Sequence, residues 1–261
     1  MDLLRLGGAV FCADKVVRRD AAPDLWTREL HVQLPVSDVA LWDGAKSELV
    51  KALSFLSGDR WDFTFTADQH APQPTKALTT EFDAASLFSG GLDSLAGVID
   101  LLEDGRRLAL VGHHDSPLTD NKQGQLFREL ARRYGRDRVA LRRLLLRPAP
   151  PRSRQSRPLP RGGGENTTRS RSFLFFAAGI AVADALGTDV PLYVPENGFI
   201  GINVPLTPAR AGSLSTRTTH PLYMDRMRHL LDELGLRHAI ENPFRQLTKV
   251  SCSLKVPISL F

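Results

Sequence analysis

The sequence predicts an α/β protein built on a parallel, doubly wound sheet with a small α+β unit at its N-terminus. From residue 81 onward, short apolar runs alternate with helical stretches, the pattern of strands joined by crossover helices. Before residue 80 that alternation is absent, and Ala71–Thr75 (APQPT) reads as a linker. The 261 residues are 42% hydrophobic and 24% charged, a composition that suits a soluble globular chain with a substantial core. The expected division is residues 1–80 for the N-terminal unit and 81–261 for the main domain.

Glu29–Val36 (ELHVQLPV) alternates apolar and polar residues as a half-buried strand does. Ala45–Leu56 has helical spacing, with Leu49, Val50, Leu53 and Leu56 on one apolar face. Arg60–Thr66 puts Trp61, Phe63 and Phe65 on one side of a strand. In the main domain, strands are expected at 84–88, 108–111, 139–146, 190–194 and 238–240. Helices are expected at 94–102, 121–134, 168–186 and 222–234, with Asp120 and Asn121 capping the second of these. Phe173, Phe175 and Phe176 read as core residues.

Composition excludes several classes. Two cysteines, Cys12 and Cys252, are too few for a disulfide framework or a four-cysteine zinc knuckle, so a reducing, cytoplasmic setting is expected. Leu174–Leu186 is interrupted by Asp184 and is too short to cross a bilayer. Asp2 and Arg5 spoil the N-terminus as a signal peptide. The formal net charge of +5 is matched by the five arginines of Arg147–Arg161 (RPAPPRSRQSRPLPR) alone. Proline-rich and followed by Gly162–Gly164, this segment reads as a loop outside the core. It is either a solvated insertion or a lid over a polyanion, and with no interleaved aromatic it is a weak candidate for nucleic acid.

The sharpest signal is Ser89-Gly90-Gly91-Leu92-Asp93-Ser94, between a predicted strand and a predicted helix. Two glycines let the backbone turn tightly and approach a ligand. The N–H groups of the turn and the first helical turn then converge on one point suited to phosphate, with Ser89 and Ser94 adding hydroxyls. Asp93 would repel a bare phosphate; it either caps the helix or holds a Mg²⁺ shared with phosphates. A G-x-x-x-x-G-K-[ST] loop and a G-x-G-x-x-G loop are both absent.

SGGLDS resembles the signature of the PP-loop (N-type) ATP pyrophosphatases. Within them, SGGLDSLAGVIDLL, ENTTRSRSFLF and PENGFIGINVPLTPARAGSLSTRTTHP are similar to the 7-cyano-7-deazaguanine synthase (QueC-like) branch, in particular the QatC type of anti-phage defence operons. The resemblance implies a Rossmann-like sheet of the adenine nucleotide alpha hydrolase type. It also implies an enzyme that uses ATP and Mg²⁺ to adenylate a 7-deazaguanine carboxylate, releases pyrophosphate and passes the acyl group to an amine. That amine is ammonia in the synthases; a protein acceptor from the same defence operon is a second option. The rival reading is a catalytically inactive nucleotide- or nucleic-acid-binding module of a defence complex. The synthases carry a C-terminal cysteine cluster for structural zinc. This chain ends SCSLKVPISLF with Cys252 alone, so no zinc site is expected; either the chain is a truncated or frame-altered version of such a protein or this member has dispensed with the metal.

The resemblance distributes roles along the chain. Ser89, Gly90, Gly91, Leu92, Asp93 and Ser94 would hold the phosphates, and Asp93 the Mg²⁺ through ATP. Gly112 and His113, at the second strand end, would lie beside adenine and ribose, with His114 and Asp115 following. Arg169 and Arg171 occupy a helix start, where the macrodipole disfavours cations; a bound anion would explain them, and they are expected to clamp the leaving pyrophosphate. Glu196 and Asn197 would read a purine-like edge, with Arg210, Ser215, Arg217 and His220 in the loop that receives the acceptor substrate.

Overall fold

Apolar residues recur at helical spacing along Asp2–Val16, where Leu3, Leu6, Val10 and Phe11 are buried, and this stretch forms α1. Sequence reasoning assigned it no element. A computed structural model describes residues 1–69, 82–114, 117–148, 165, 167, 169–202 and 217–256. After α1 come β1 (Glu29–Val36), α2 (Val39–Ser57) and β2 (Arg60–Ala67). Asp38 caps α2 by accepting from Leu41 N at 3.0 Å, and Gly58, at φ 77°, ends it in the left-handed region. β1 and β2 run parallel, with Glu29 opposite Arg60. The N-terminal unit is therefore a βαβ crossover rather than the α+β arrangement expected. A helix of 19 residues is long enough to carry the chain back to the starting end of the sheet.

The main sheet contains β3 (Ala84–Leu87), β4 (Leu108–His114), β5 (Val139–Leu145), β6 (Leu192–Tyr193) and β7 (Ile240–Glu241). All its neighbours pair in parallel, in the order β5-β4-β3-β6-β7. The helices are α3 (Leu92–Glu103), α4 (Pro117–Tyr134), α5 (Arg171–Leu186), α6 (Gly198–Ile202), α7 (Pro221–Glu233) and α8 (Lys249–Ser253). Alternation along the strands divides the core between two faces. Ala85, Leu87, Val111 and Leu192 join α1, α2, α5 and α7 in one cluster. Ala84, Leu108, Leu110 and Tyr193 join α3 and α4 in the other.

Because α1 packs on α5 and α2 on α7, the N-terminal unit and the sheet share one core, from Leu6 and Phe63 to Phe176 and Tyr223. The expected boundary at residue 80 lies outside the described residues. So does the arginine-rich loop beyond Pro148. Several element ends differ from expectation. α4 begins at Pro117, so Asp120 is inside the helix and pairs with Arg143 of β5 instead of capping. α5 begins at Arg171, not 168. Thr248 caps a short α8 that apolar periodicity did not reveal. No helix among the described residues is long and apolar enough to cross a membrane.

β3 gives way to its turn beneath α5, where Gly179 admits Leu192 and Leu87. A Cβ there would lie 2.6 Å from Leu192 Cδ1 and 2.9 Å from Leu87 Cδ2. Gly179→Ala is expected to cost about 1–3 kcal/mol through overpacking. Gly44 sits in α2 with nothing within 4 Å of an added Cβ, so Gly44→Ala should add about 0.5–1 kcal/mol. Urea denaturation of the two variants beside the parent checks both signs.

Candidate functional site

The order of the main sheet makes β3 central, with the chain filling one side first and then the other. Between β3 and β6 the connections diverge and leave a crevice beyond the carboxyl ends of the strands. A cavity of about 350 Å³ occupies this place, within the range of small-molecule sites. Its floor is the Ser89–Ser94 turn. Gly90 takes φ 78°, a conformation that favours glycine. Gly91 N donates to Ser89 Oγ at 3.2 Å, Ser94 Oγ donates to Gly91 O at 2.9 Å, and the two serine hydroxyls lie 3.1 Å apart. α3 starts at Leu92, so the N–H groups of its first turn have no intrahelical acceptor and face the crevice with the positive end of the helix.

The opposite wall is the start of α5, and it is fixed from the N-terminal unit. Asp14 of α1 is fully buried. Its Oδ2 accepts from Ser170 N at 3.2 Å and from Ser170 Oγ. Its Oδ1 accepts from Arg28 Nη2 at 2.5 Å. Arg28 also donates to Asp59 through Nε at 3.1 Å and Nη2 at 2.7 Å, and Arg19 binds Asp59 in a fork at 2.8 and 2.9 Å. Burial alone would raise the Asp59 carboxyl; the hydrogen bonds and charges of Arg28, with the charge of Arg19, outweigh it and hold the group below the usual carboxylate range. With Ser170 held this way, the next residue, Arg171, enters the cavity wall. Its Nε donates to His113 Nδ1 at 3.2 Å and its Nη2 to His113 O at 3.1 Å.

The third wall follows β6. Asn197 donates through Nδ2 to Asp93 Oδ2 at 2.7 Å, tying the two strand ends together. Asn242, just beyond β7, holds the backbone of Glu196: its Oδ1 accepts from Glu196 N at 3.3 Å and its Nδ2 donates to Glu196 O at 2.9 Å. Asp93 Oδ1 and Glu196 Oε2 are sealed from solvent with no hydrogen-bond partner among the described residues, and both residues line the cavity. Burial, and next the charge of Asp93, push the Glu196 carboxyl up to about 7. Two unpartnered buried carboxylate oxygens fit a cation that takes its remaining ligands from phosphates and water, as Mg²⁺ does. Among the described residues no three His, Cys, Asp or Glu side chains converge as a resident metal would require.

No protein-family model, curated protein or solved structure matches this chain. The Ser89–Ser94 turn and the walls around it define the site by their own geometry.

That geometry brings together Ser89, Gly91, Leu92, Asp93, Ser94, Arg171 and Glu196. Other expected residues lie elsewhere. Arg169 turns the other way: Nη1 donates to Ser57 O at 2.7 Å and the guanidinium stacks 5.0 Å from the Trp26 ring. Burial, then the charges of Arg19 and Arg217, lower its pKa. Gly112 packs on Gln123, whose Oε1 would lie 2.7 Å from a Cβ there. His113 is buried behind Arg171. Asn197 donates its amide to Asp93 Oδ2. Arg217 donates to Phe55 O at 2.5 Å, and His220 caps α7 with its ring 4.8 Å from that of Phe55, so both face α2. Arg210 and Ser215 lie outside the described residues.

Gln123 and Asn242 were not anticipated. Gln123 is fully buried, with Nε2 3.2 Å from Phe88 O and 3.3 Å from both Ser89 O and His113 O. It clamps the ends of β3 and β4, and Gly90 and Gly112 leave it room. Two glycines at the ends of adjacent strands were its only trace in the sequence.

Two outcomes are expected. Asp14→Ala leaves Arg28 without part of its buried counter-charge and should cost about 3–5 kcal/mol in urea denaturation. Glu196 has a folded pKa above its unfolded value, so its contribution to stability is complete below the unfolded pKa and is lost as pH rises through about 7. Glu196→Gln, which mimics the protonated form, should therefore be more stable than the parent at pH ~8 by roughly 3 kcal/mol, and the gap should close below pH ~4.5. Denaturation across pH checks the trend; a gap that does not change with pH refutes it.

Proposed function

We propose that the chain binds ATP and Mg²⁺ in the crevice between β3 and β6 and adenylates the carboxylate of a 7-deazaguanine. A carboxylate oxygen attacks the α-phosphorus, pyrophosphate leaves, and an amine then displaces AMP to form a C–N bond. One observation carries the reading. A single cavity joins an anion-receiving helix start and Arg171 to Asp93 and Glu196, each with one buried carboxylate oxygen that has no hydrogen-bond partner among the described residues. A nucleoside triphosphate with its cation presents both signs of charge to such a site.

In this reading the sheet is Rossmann-like, of the adenine nucleotide alpha hydrolase type, supported by the order with β3 central. The first-turn N–H groups of α3 and the Ser89 and Ser94 hydroxyls receive the leaving pyrophosphate. Arg171 opposes the charge that develops on it. Mg²⁺, held by Asp93 and Glu196, would neutralise phosphate charge. The 7-deazaguanine and the setting in anti-phage defence rest on the sequence resemblance. The acceptor amine is ammonia or a protein amine.

The test is incubation with ATP, MgCl₂ and 7-carboxy-7-deazaguanine, scoring pyrophosphate and AMP with and without an amine. Arg171→Ala should lower turnover by roughly 10²–10³, the cost of one lost transition-state donor, and Asp93→Asn should abolish it. Arg169→Ala should act mainly on stability. ATP binding without pyrophosphate release would replace this reading with that of a binding module.

A further inference from the structure

We propose that His113 is a positioning residue whose imidazole Nδ1 fixes the Arg171 guanidinium in the cavity wall, so that it governs anion binding without touching the anion. The proposal rests on the reading of the cavity as a phosphate site. His113 lies near the end of β4 and is 1% exposed. Its ring stands edge-on to Phe11 of α1, 5.3 Å between centroids, and to Phe175 of α5, 5.7 Å. Within this aromatic slot, and among the described residues, both ring nitrogens make hydrogen bonds. Nδ1 lies 3.2 Å from Arg171 Nε, and Nε2 lies 3.2 Å from Leu146 O.

These contacts determine the tautomer. A guanidinium N–H only donates, so Nδ1 is the acceptor and carries no proton. A carbonyl oxygen only accepts, so Nε2 carries it. The ring is the neutral Nε2–H form, and the backbone just beyond β5 selects it. A second contact, Arg171 Nη2 to His113 O at 3.1 Å, completes a fork that orients the plane of the guanidinium over the Phe175 ring, 5.3 Å away. Arg171 is the first residue of α5, where the helix dipole opposes a cation, so its place needs such a hold. Gln123 Nε2 approaches the same His113 carbonyl at 3.3 Å, joining the hold to the Ser89 turn.

The test is the affinity of the whole chain for inorganic pyrophosphate, by calorimetry, in the parent and four variants. His113→Leu removes the acceptor and should weaken binding about 5–20-fold, in the range of one lost hydrogen bond to a charged group. His113→Asn offers Oδ1 to the same Nε–H and should stay within about threefold of the parent. In an Arg171→Ala background, His113→Leu should add nothing, because the two act as one unit. Should His113→Leu not fold, His113→Phe fills the slot and also lacks the acceptor. ¹⁵N resonances of the His113 ring in the parent chain should show a protonated Nε2 and a bare Nδ1. A parent that binds pyrophosphate while His113→Leu or His113→Phe binds equally well overturns the positioning role alone. Additivity with Arg171→Ala, or the opposite tautomer, does the same. A parent that binds no pyrophosphate overturns the phosphate reading and this role with it.

Discussion

The Asp14 carboxylate is the constraint on which the rest of the site depends. It is fully buried on α1, and one oxygen takes Arg28 while the other takes the backbone and hydroxyl of Ser170. A charge so deep is tolerable only when paired and fully hydrogen-bonded. The arginine that pairs it is shared with Asp59, which is held in turn by Arg19. The cluster thus carries the geometry of the β1–α2–β2 unit to the first turn of α5. Glu165 adds a further tie, accepting from Arg19 N at 2.9 Å and donating its own N–H to Lys15 O at 2.8 Å. The helix start that faces the Ser89 turn is therefore held by the N-terminal unit and not by the main sheet alone.

The cavity that results is lined by charges of both signs. α3 and α5 both begin at it, and Arg171, Lys249, Asp93 and Glu196 all line its wall. Parallel topology brings this about, because every β-to-α turn of the sheet opens at the same end. Asn197 to Asp93, and Asn242 to the backbone of Glu196, then hold the two acids in place. Asp93 Oδ1 and Glu196 Oε2 are left over, buried and without a hydrogen-bond partner among the described residues, which sets this crevice apart from a solvated gap between loops.

Much of the architecture was legible because it rests on local pattern. Trp61, Phe63 and Phe65 alternate as a strand face must, and all three are buried. The Ser89–Ser94 turn announced itself through adjacent glycines between a strand and an apolar helix. What local pattern does not encode is direction. Arg169 and Arg171 are two residues apart at a helix start, yet one stacks on Trp26 and the other faces the cavity. Trp26 lies far from both in sequence, so nothing nearby separates them. The parallel pairing of β1 with β2 was hidden for a related reason, since strand direction is set by how α2 returns the chain. α1 escaped notice because its two adjacent glycines, Gly7 and Gly8, blur its helical signal. Gly7 is there because a Cβ would meet that of Ala177 on α5 at 2.8 Å.

That close approach of α1 to α5 has a thermodynamic consequence. The helix bearing Asp14 lies against the helix that starts with Arg171, and the two share one core. Any ligand that tightens the start of α5 must also raise the free energy needed to peel α1 away, since a ligand that binds only the native form stabilises every element the native form requires. Protection of the α1 amides against hydrogen exchange would then rise with ligand concentration, although α1 itself does not line the cavity. The first helix of the chain becomes a reporter of occupancy in a pocket assembled by the last two-thirds of it.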